Sequence, residues 1–133
     1  MIAKEPYSVF ASDGVGEPER GVDLTHPRSY GAAPRFLHRA VEKGKLLSWE
    51  EAVKKMTFAP ASLVGLSQTR GLIRPGYYAD VVIFDPKKIK DRATYKKPYQ
   101  YPEGIEYVFI NGNCAFEKGK PTGSLAGKIL RGK

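Results

Sequence analysis

The sequence predicts an α+β fold, with helices in the first half of the chain and strands in the second. A helical capping signal and a β-hairpin signal support this prediction. Ser48 and Glu51 form a capping box in front of apolar residues with helical spacing. Asn111-Gly112 lies between two apolar runs and supplies the two positive-φ residues of a type I′ turn. The predicted domains are residues 1–66, with the helices, and residues 67–133, with the strands.

Composition indicates a globular protein and argues against several other classes. The 133 residues are 41% hydrophobic and 11% aromatic, which is enough apolar surface for a core. The formal charge is +8, but basic residues are scattered among acidic ones, which is typical of solvated faces rather than a nucleic-acid-binding stripe. A lone cysteine excludes an internal disulfide, and no run resembles a signal peptide or a membrane span. These features predict a cytoplasmic protein without membrane contact.

The first half of the sequence predicts a strand, a long loop and three helices. Residues 7–11 are β-prone and end at the polar tripeptide Ser12-Asp13-Gly14. The Gly-, Pro- and charge-rich stretch 15–31 predicts a loop. The predicted helices cover residues 34–43, with Pro34 in the first turn and Gly44 at the end, the capped segment that follows Ser48, and residues 60–64.

The second half predicts strands joined by turns. Residues 71–73 and 79–84 flank a turn, and the apolar run 81–84 predicts a strand buried on both faces. The polar, Tyr- and Pro-rich stretch 87–104 predicts a second long loop. A hairpin is predicted over residues 105–117, followed by a turn at residues 119–120.

Asp13 is the first candidate for chemistry. A carboxylate at the C-terminal end of a strand can serve as a general base or a metal ligand, and Gly14 lets a substrate approach the backbone. An ordinary Asp-Gly turn explains the same residues, so the tripeptide alone leaves both interpretations open.

The second candidate is the loop segment that contains His26, Arg28 and Tyr30. Arginine is the preferred side chain for binding a carboxylate with two parallel hydrogen bonds. The segment therefore fits a carboxylate-binding loop, and it also fits a solvated loop in which polar residues meet by chance.

Metal and nucleic-acid sites have weaker signals. His26, His38 and Cys114 do not have the spacing of a metal site, and His38 fits the surface or packing face of a helix. We therefore expect no metal site within this chain. The tyrosines of residues 95–101 could stack on bases, but the interleaved prolines favour a packed loop.

Several segments follow one another as they do in one enzyme family. Residues 71–86 alone indicate only the tail of an amidohydrolase. Two further segments restrict the resemblance to one group of amidohydrolases: His-Pro-Arg-Ser-Tyr-Gly at residues 26–31 and Tyr-Pro-Glu-Gly-Ile at residues 101–105. The chain thereby resembles the C-terminal portion of the N-acyl-D-amino-acid deacylases, or D-aminoacylases, of the amidohydrolase superfamily. The other matching segments are residues 12–14, 34–35, 47–57, 60–61, 65–66, 91–95 and 108–112.

The resemblance implies the last strand and helices of an amidohydrolase (β/α)8 barrel, followed by the C-terminal part of a β-sandwich. Residues 9–11 would be the last barrel strand. Asp13 would lie beside the zinc of the complete enzyme, take a proton from the attacking water and return it to the leaving amine. Arg28 would bind the α-carboxylate of an N-acyl-D-amino acid, and His26 and Tyr30 would shape the same loop. The parent reaction is hydrolysis to a carboxylate and a D-amino acid.

One large departure separates this sequence from the family. The segments that carry the zinc ligands there, beginning with a His-x-His in the first strand, do not occur in this sequence. We therefore expect the chain to hold no cofactor of its own and to be inactive alone. It would need a second polypeptide, or self-association, to cover the apolar faces of a barrel fragment. The alternatives are a non-catalytic, β-rich interaction module and, with less support, a basic nucleic-acid-binding protein.

Overall fold

The computed structural model describes residues 2–14 and 25–131, which fold into helices followed by an antiparallel sheet. The mixture confirms the predicted α+β class. The helices are the 3-10 helix Ile2–Lys4, α1 Arg28–Leu37 with a π-helical continuation His38–Lys43, α2 Trp49–Met56 and α3 Phe58–Leu63. The strands are β1 Val81–Phe84, β2 Ile105–Ile110, β3 Asn113–Glu117 and β4 Lys120–Pro121. They form one four-stranded sheet in the order β1-β2-β3-β4.

Helix α2 begins at the predicted capping box. The Ser48 hydroxyl oxygen accepts a hydrogen bond from the Glu51 amide at 3.2 Å, and a Glu51 carboxylate oxygen accepts one from the Ser48 amide at 2.8 Å. Both bonds satisfy amides that have no partner inside the helix. Lys54 and Lys55 lie in the last turn, where their charge is favourable for the helix dipole. Ala52 faces inward and is fully buried.

Helix α1 differs from its prediction at the N-terminal end. It begins at Arg28 rather than at Pro34, so Pro34 lies inside the helix and is buried there. The predicted end is confirmed, because Gly44 follows the π-helical continuation. The additional first turns of α1 pack on the second loop, where a Cβ added to Gly31 would lie 3.1 Å from the Asp91 side chain. Helix α3 likewise starts earlier than predicted, at Phe58.

The hairpin between β2 and β3 is confirmed. Asn111 has φ 49° and Gly112 has φ 83°, the left-handed pair that a type I′ turn requires. The next turn uses Lys118 and Gly119, with φ 46° and 89°, and so lies one residue before its predicted place.

Two predicted strands are wrong. Residues 7–11 are not a strand, and the Phe10 amide donates instead to the carbonyl of Lys55 in α2 at 3.0 Å. A β-prone run forms a strand only beside another strand, and none of the described residues provides one there. Residues 71–73 also form no strand, because Gly71 turns the chain with φ 88° against Phe58.

The predicted burial of strand β1 on both faces is also wrong. Val82 and Ile83 are half-exposed. Strand β1 lies at an edge of the sheet and pairs only with β2. The apolar run correctly predicts the strand, but its two central side chains, which point to opposite faces, stay half-exposed at the edge of the sheet.

The core lies between the helices and the second loop. Ile89 of that loop shares one buried cluster with helical side chains, and partly buried side chains of β1 and β2 pack against it. Residues 87–104 contain no helix and no named strand, as predicted, yet Ile89 and Ala93 are almost fully buried. The buried cluster comprises Leu37, Ala40, Val41, Leu47, Ala52 and Ile89.

The domain division at residue 66 stays a prediction. Over residues 2–14 and 25–131, no helix is long and apolar enough to cross a membrane.

Candidate functional site

The segment that leads to Asp13 is fixed by contacts with two helices. The Lys55 ammonium group donates to the carbonyl oxygens of Glu5 and Ser8 at 2.5 and 3.0 Å, and to the Ser8 hydroxyl at 2.9 Å. The Phe10 and Phe36 rings pack with their centroids 5.1 Å apart. Residues 5–10 are therefore held on α1 and α2 without belonging to a sheet.

Asp13 has a left-handed backbone conformation at the end of this segment. Its φ is 49°, and the Gly14 amide donates to the Ser12 hydroxyl at 3.2 Å. A Cβ added to Gly14 would lie 3.2 Å from the Cα of Ser29, so the glycine lets the turn lie against the start of α1. This backbone conformation brings the Asp13 side chain to the segment around Arg28.

Asp13 and Arg28 form a two-point contact. The Arg28 Nε donates to the Asp13 carbonyl oxygen at 2.8 Å, and Nη2 lies 3.0 Å from Oδ2 of the Asp13 carboxylate. Both side chains are accessible, with exposed fractions of 83% for Asp13 and 44% for Arg28. Asp13 occupies one edge of the guanidinium. Among residues 2–14 and 25–131, no other acidic residue forms an ion pair with Arg28.

His26 lies next to Arg28 and makes two hydrogen bonds. Its Nδ1 accepts from the Arg28 backbone amide at 3.0 Å, and its Nε2 lies 3.0 Å from the Tyr95 hydroxyl oxygen. The two rings are nearly perpendicular, with their centroids 5.1 Å apart. His26 therefore links the start of α1 to the second loop.

Tyr30 points to a different part of the second loop. Its ring packs edge-on against the rings of Tyr99 and Tyr101, with centroids 5.7 and 6.0 Å away. These contacts favour the packed-loop interpretation of residues 95–101 over base stacking for two of the three tyrosines, whereas Tyr95 is mostly exposed.

A further ion pair fixes the second loop on α1. The Arg35 Nε donates to Asp91 Oδ2 at 2.7 Å, Nη2 lies 2.5 Å from the same oxygen, and Nη2 also donates to the Ala93 carbonyl at 3.2 Å. Sequence reasoning missed both this pair and the contact of Tyr95 with His26. Their partners lie 56 and 69 positions apart, and no local pattern reports such contacts.

Comparison with known proteins decides the family. A family model described as "Amidohydrolase family" matches residues 19–116, which is most of the sequence and includes Arg28, helices α1 to α3 and strands β1 and β2. The chain belongs to the amidohydrolase family.

Individual members of this amidohydrolase family are similar over most of the chain. An N-acyl-D-aspartate deacylase of Alcaligenes xylosoxydans xylosoxydans is 36% identical over 97% of the chain, and a D-aminoacylase of the same organism is 40% identical over 92%. A crystal structure of a D-aminoacylase superposes with a TM-score of 0.75, at 42% identity over 81% of this chain and 23% of that one. The chain spans about a quarter of the length of these relatives, 25% and 24% of the two deacylases.

Metal occurs in some of these amidohydrolases. An N-acyl-D-glutamate deacylase from Bordetella bronchiseptica, 40% identical with a TM-score of 0.68 over 74% of this chain and 21% of that one, was solved with zinc and a phosphonate inhibitor. In the present chain, residues 2–14 and 25–131 hold no group of three His, Cys, Asp or Glu side chains that could bind a metal ion. Asp13 is a single carboxylate bound to a guanidinium, so the described residues do not form a zinc site.

Proposed function

We propose that this chain supplies the general base and the carboxylate-binding arginine of a zinc-dependent N-acyl-D-amino-acid deacylase. The proposed reaction is hydrolysis of an N-acyl-D-amino acid to a carboxylate and a D-amino acid. The observation that carries the proposal is the contact between Asp13 and Arg28, whose functional atoms are 3.0 Å apart. In an N-acyl-amino acid the scissile amide nitrogen and the α-carboxylate are attached to one carbon atom. A base and a carboxylate receptor for such a substrate therefore have to be neighbours.

The geometry of Arg28 suits this role. Asp13 accepts from Nε and binds Nη2 on one edge of the guanidinium, and in the described part of the chain no other acidic residue pairs with Arg28. In our proposal the edge that includes Nη1 meets the two oxygens of a substrate carboxylate. Arg28 can thus hold the base and the substrate at the same time. Lysine, which carries a single ammonium group, would not offer two edges.

Asp13 performs the proton transfer in this proposal. Its carboxylate accepts a proton from the water that adds to the acyl carbon, and it returns that proton to the amine as the carbon–nitrogen bond breaks. Zinc would polarise the acyl oxygen, and its ligands would come from polypeptide segments other than the residues described here. For the same reason the chain alone is inactive in our proposal. We further propose that the helical half belongs to a (β/α)8 barrel and the sheet to a β-sandwich.

A second polypeptide, or a second copy of this chain, completes the fold in this proposal. The exposed apolar side chains support it, because Val82 and Ile83 of β1 are half-exposed and Ile73 is almost fully exposed. Sedimentation or light scattering of the purified chain distinguishes the outcomes: a defined oligomer favours self-association, and a monomer favours a different partner. The sheet with these exposed residues also leaves the interaction-module hypothesis in place.

The test is fragment complementation. The purified chain is mixed with the remaining three quarters of a related D-aminoacylase and with zinc, and hydrolysis of several N-acetyl-D-amino acids is followed. Activity is expected only in the mixture, and Asp13→Asn should lower kcat by about 10²- to 10⁴-fold. Arg28→Lys should mainly raise KM, whereas Arg39→Lys, on the same helical stretch, serves as the control. Activity of the chain alone, or full activity of the Asp13→Asn mixture, would contradict the proposal.

A further inference from the structure

A pair of hydrogen-bonded rings, His26 and Tyr95, lies beside Arg28 and has no role in the reaction described above. We propose that His26 and Tyr95 position Arg28, so that the second loop controls how well this arginine binds a carboxylate. This inference rests on the proposed function of Arg28. His26 and Tyr95 act through Arg28 and are positioning residues that need not touch the substrate.

The two hydrogen bonds define the state of the imidazole. Nδ1 accepts the Arg28 amide, so it carries a lone pair and no proton, and the neutral ring then has its proton on Nε2. That proton is donated to the Tyr95 hydroxyl oxygen at 3.0 Å. A phenylalanine in place of Tyr95 would remove the acceptor, while the edge-on ring packing could persist.

His26 acts directly on the start of helix α1. The first amides of a helix have no carbonyl partner inside the helix, and the Arg28 amide is one of them. His26 supplies the acceptor, and Pro27 between the two residues is fully buried and restricted in φ. A displaced imidazole would therefore shift the Arg28 backbone rather than be absorbed by a flexible linker.

Tyr95 is held on a loop with its own bonds. The Thr94 and Lys97 backbone groups bond to each other at 3.0 and 3.1 Å, and the Gln100 side-chain amide donates to the Lys97 carbonyl at 2.8 Å. The same loop is also fixed to α1 by the Arg35–Asp91 pair, about two helical turns beyond Arg28 at 3.6 residues per turn.

A displacement of Arg28 would affect its contact with Asp13 and its binding of a substrate carboxylate together. Arg28 donates from Nε and Nη2 to Asp13, and its other edge has to meet both oxygens of a carboxylate. Bidentate binding tolerates little displacement, because both bonds depend on the same planar group. Loss of the contact between His26 and Tyr95 should thus weaken the Asp13–Arg28 contact and carboxylate binding together.

The experiment uses nitrogen-15 NMR of the purified chain, with Tyr95→Phe compared with Tyr7→Phe. Tyr7 is a matched control, because its exposed fraction is 79% against 72% for Tyr95 and the described residues give it no hydrogen bond. The imidazole shifts should report the Nε2–H tautomer of His26 in the wild type. Tyr95→Phe should speed hydrogen exchange of the Arg28 Nε–H by about threefold or more, and Tyr7→Phe should leave it unchanged. An Nδ1–H tautomer, or equal exchange in all three proteins, would overturn the proposal.

Partial rescue by a conservative substitution at His26 distinguishes a positioning role of this residue from a merely structural one. Asparagine can accept the amide two residues ahead, so His26→Asn should retain part of the Arg28 protection that His26→Ala loses. Equal exchange in the two variants would contradict the role of Nδ1. Titration with N-acetyl-D-alanine tests the proposed function separately. If Arg28→Lys binds it as the wild type does, the carboxylate-binding role fails, while the exchange and tautomer data still decide the positioning role.

Discussion

Removal of the Arg35 guanidinium is expected to lower the free energy of unfolding by about 2 kcal/mol. Asp91 Oδ2 accepts from Arg35 at 2.7 and 2.5 Å, and only 15% of the Asp91 side chain is exposed, so Arg35→Ala would leave a largely buried carboxylate without its partner. Loss of one partner of a fully buried pair costs about 3–5 kcal/mol. Arg35 itself is 39% exposed, so solvent screens the pair, and we lower the expected cost accordingly.

Urea unfolding of Arg35→Ala and of Arg39→Ala measures this difference. Both variants replace the same residue type on one helical stretch, and the described residues give Arg39 no acidic partner. Arg39→Ala should therefore change the free energy of unfolding by less than about 0.5 kcal/mol. A double-mutant cycle with Asp91→Ala should give a coupling energy near 2 kcal/mol, roughly the cost of the single change. Equal effects of the two arginine variants, or additive effects in the cycle, would refute the reasoning.

Three other changes test local features of the fold. Ser48→Ala should cost about 1 kcal/mol in thermal unfolding, because the capping box loses its hydroxyl. Gly104→Ala should cost more than Gly119→Ala in urea unfolding: both glycines have positive φ, but only at Gly104 would the new Cβ lie 2.6 Å from a backbone nitrogen. Hydrogen bonding, first from the Lys87 amide, lowers the pKa of Asp85, so its stabilisation is present at neutral pH and lost as the pH falls through that lowered pKa. The difference in unfolding free energy between wild type and Asp85→Asn should accordingly shrink below about pH 4.

Local signals in the sequence predicted the local structure well. The capping box at Ser48 and the Asn111-Gly112 turn each depend on neighbouring residues, and both are present. The predictions fail where contacts with residues distant in the sequence determine the local structure. Residues 7–11 have the composition of a strand, but the Phe10 amide donates a hydrogen bond to a carbonyl of helix α2 rather than to another strand. The early turns of helix α1 place Gly31 against Asp91, a contact that the spacing of apolar residues does not predict.

The candidate site shows the same limit. The sequence indicates Asp13 and the loop segment with His26 and Arg28 as two separate candidates, and the family resemblance implies that they belong to one site. Their hydrogen bonds depend on the left-handed backbone conformation of Asp13 and on a tyrosine 69 positions from His26. For Tyr95 the sequence predicts only a stacking or packing role, because the local sequence does not indicate its hydrogen-bond partner. The residue types were therefore predictable, whereas the connections between them were not.

The exposure of Asp13 and that of strand β1 fit a single explanation. A carboxylate that moves protons in a hydrolase works best where bulk water is excluded, yet Asp13 is largely open to solvent. An apolar strand is most stable when both faces are covered, yet β1 has half-exposed valine and isoleucine side chains. Under our proposal, binding of the polypeptide that carries the zinc ligands buries both Asp13 and strand β1, because that polypeptide covers the site and the sheet. Metal binding and the burial of β1 should then be coupled, so that neither occurs fully without the other.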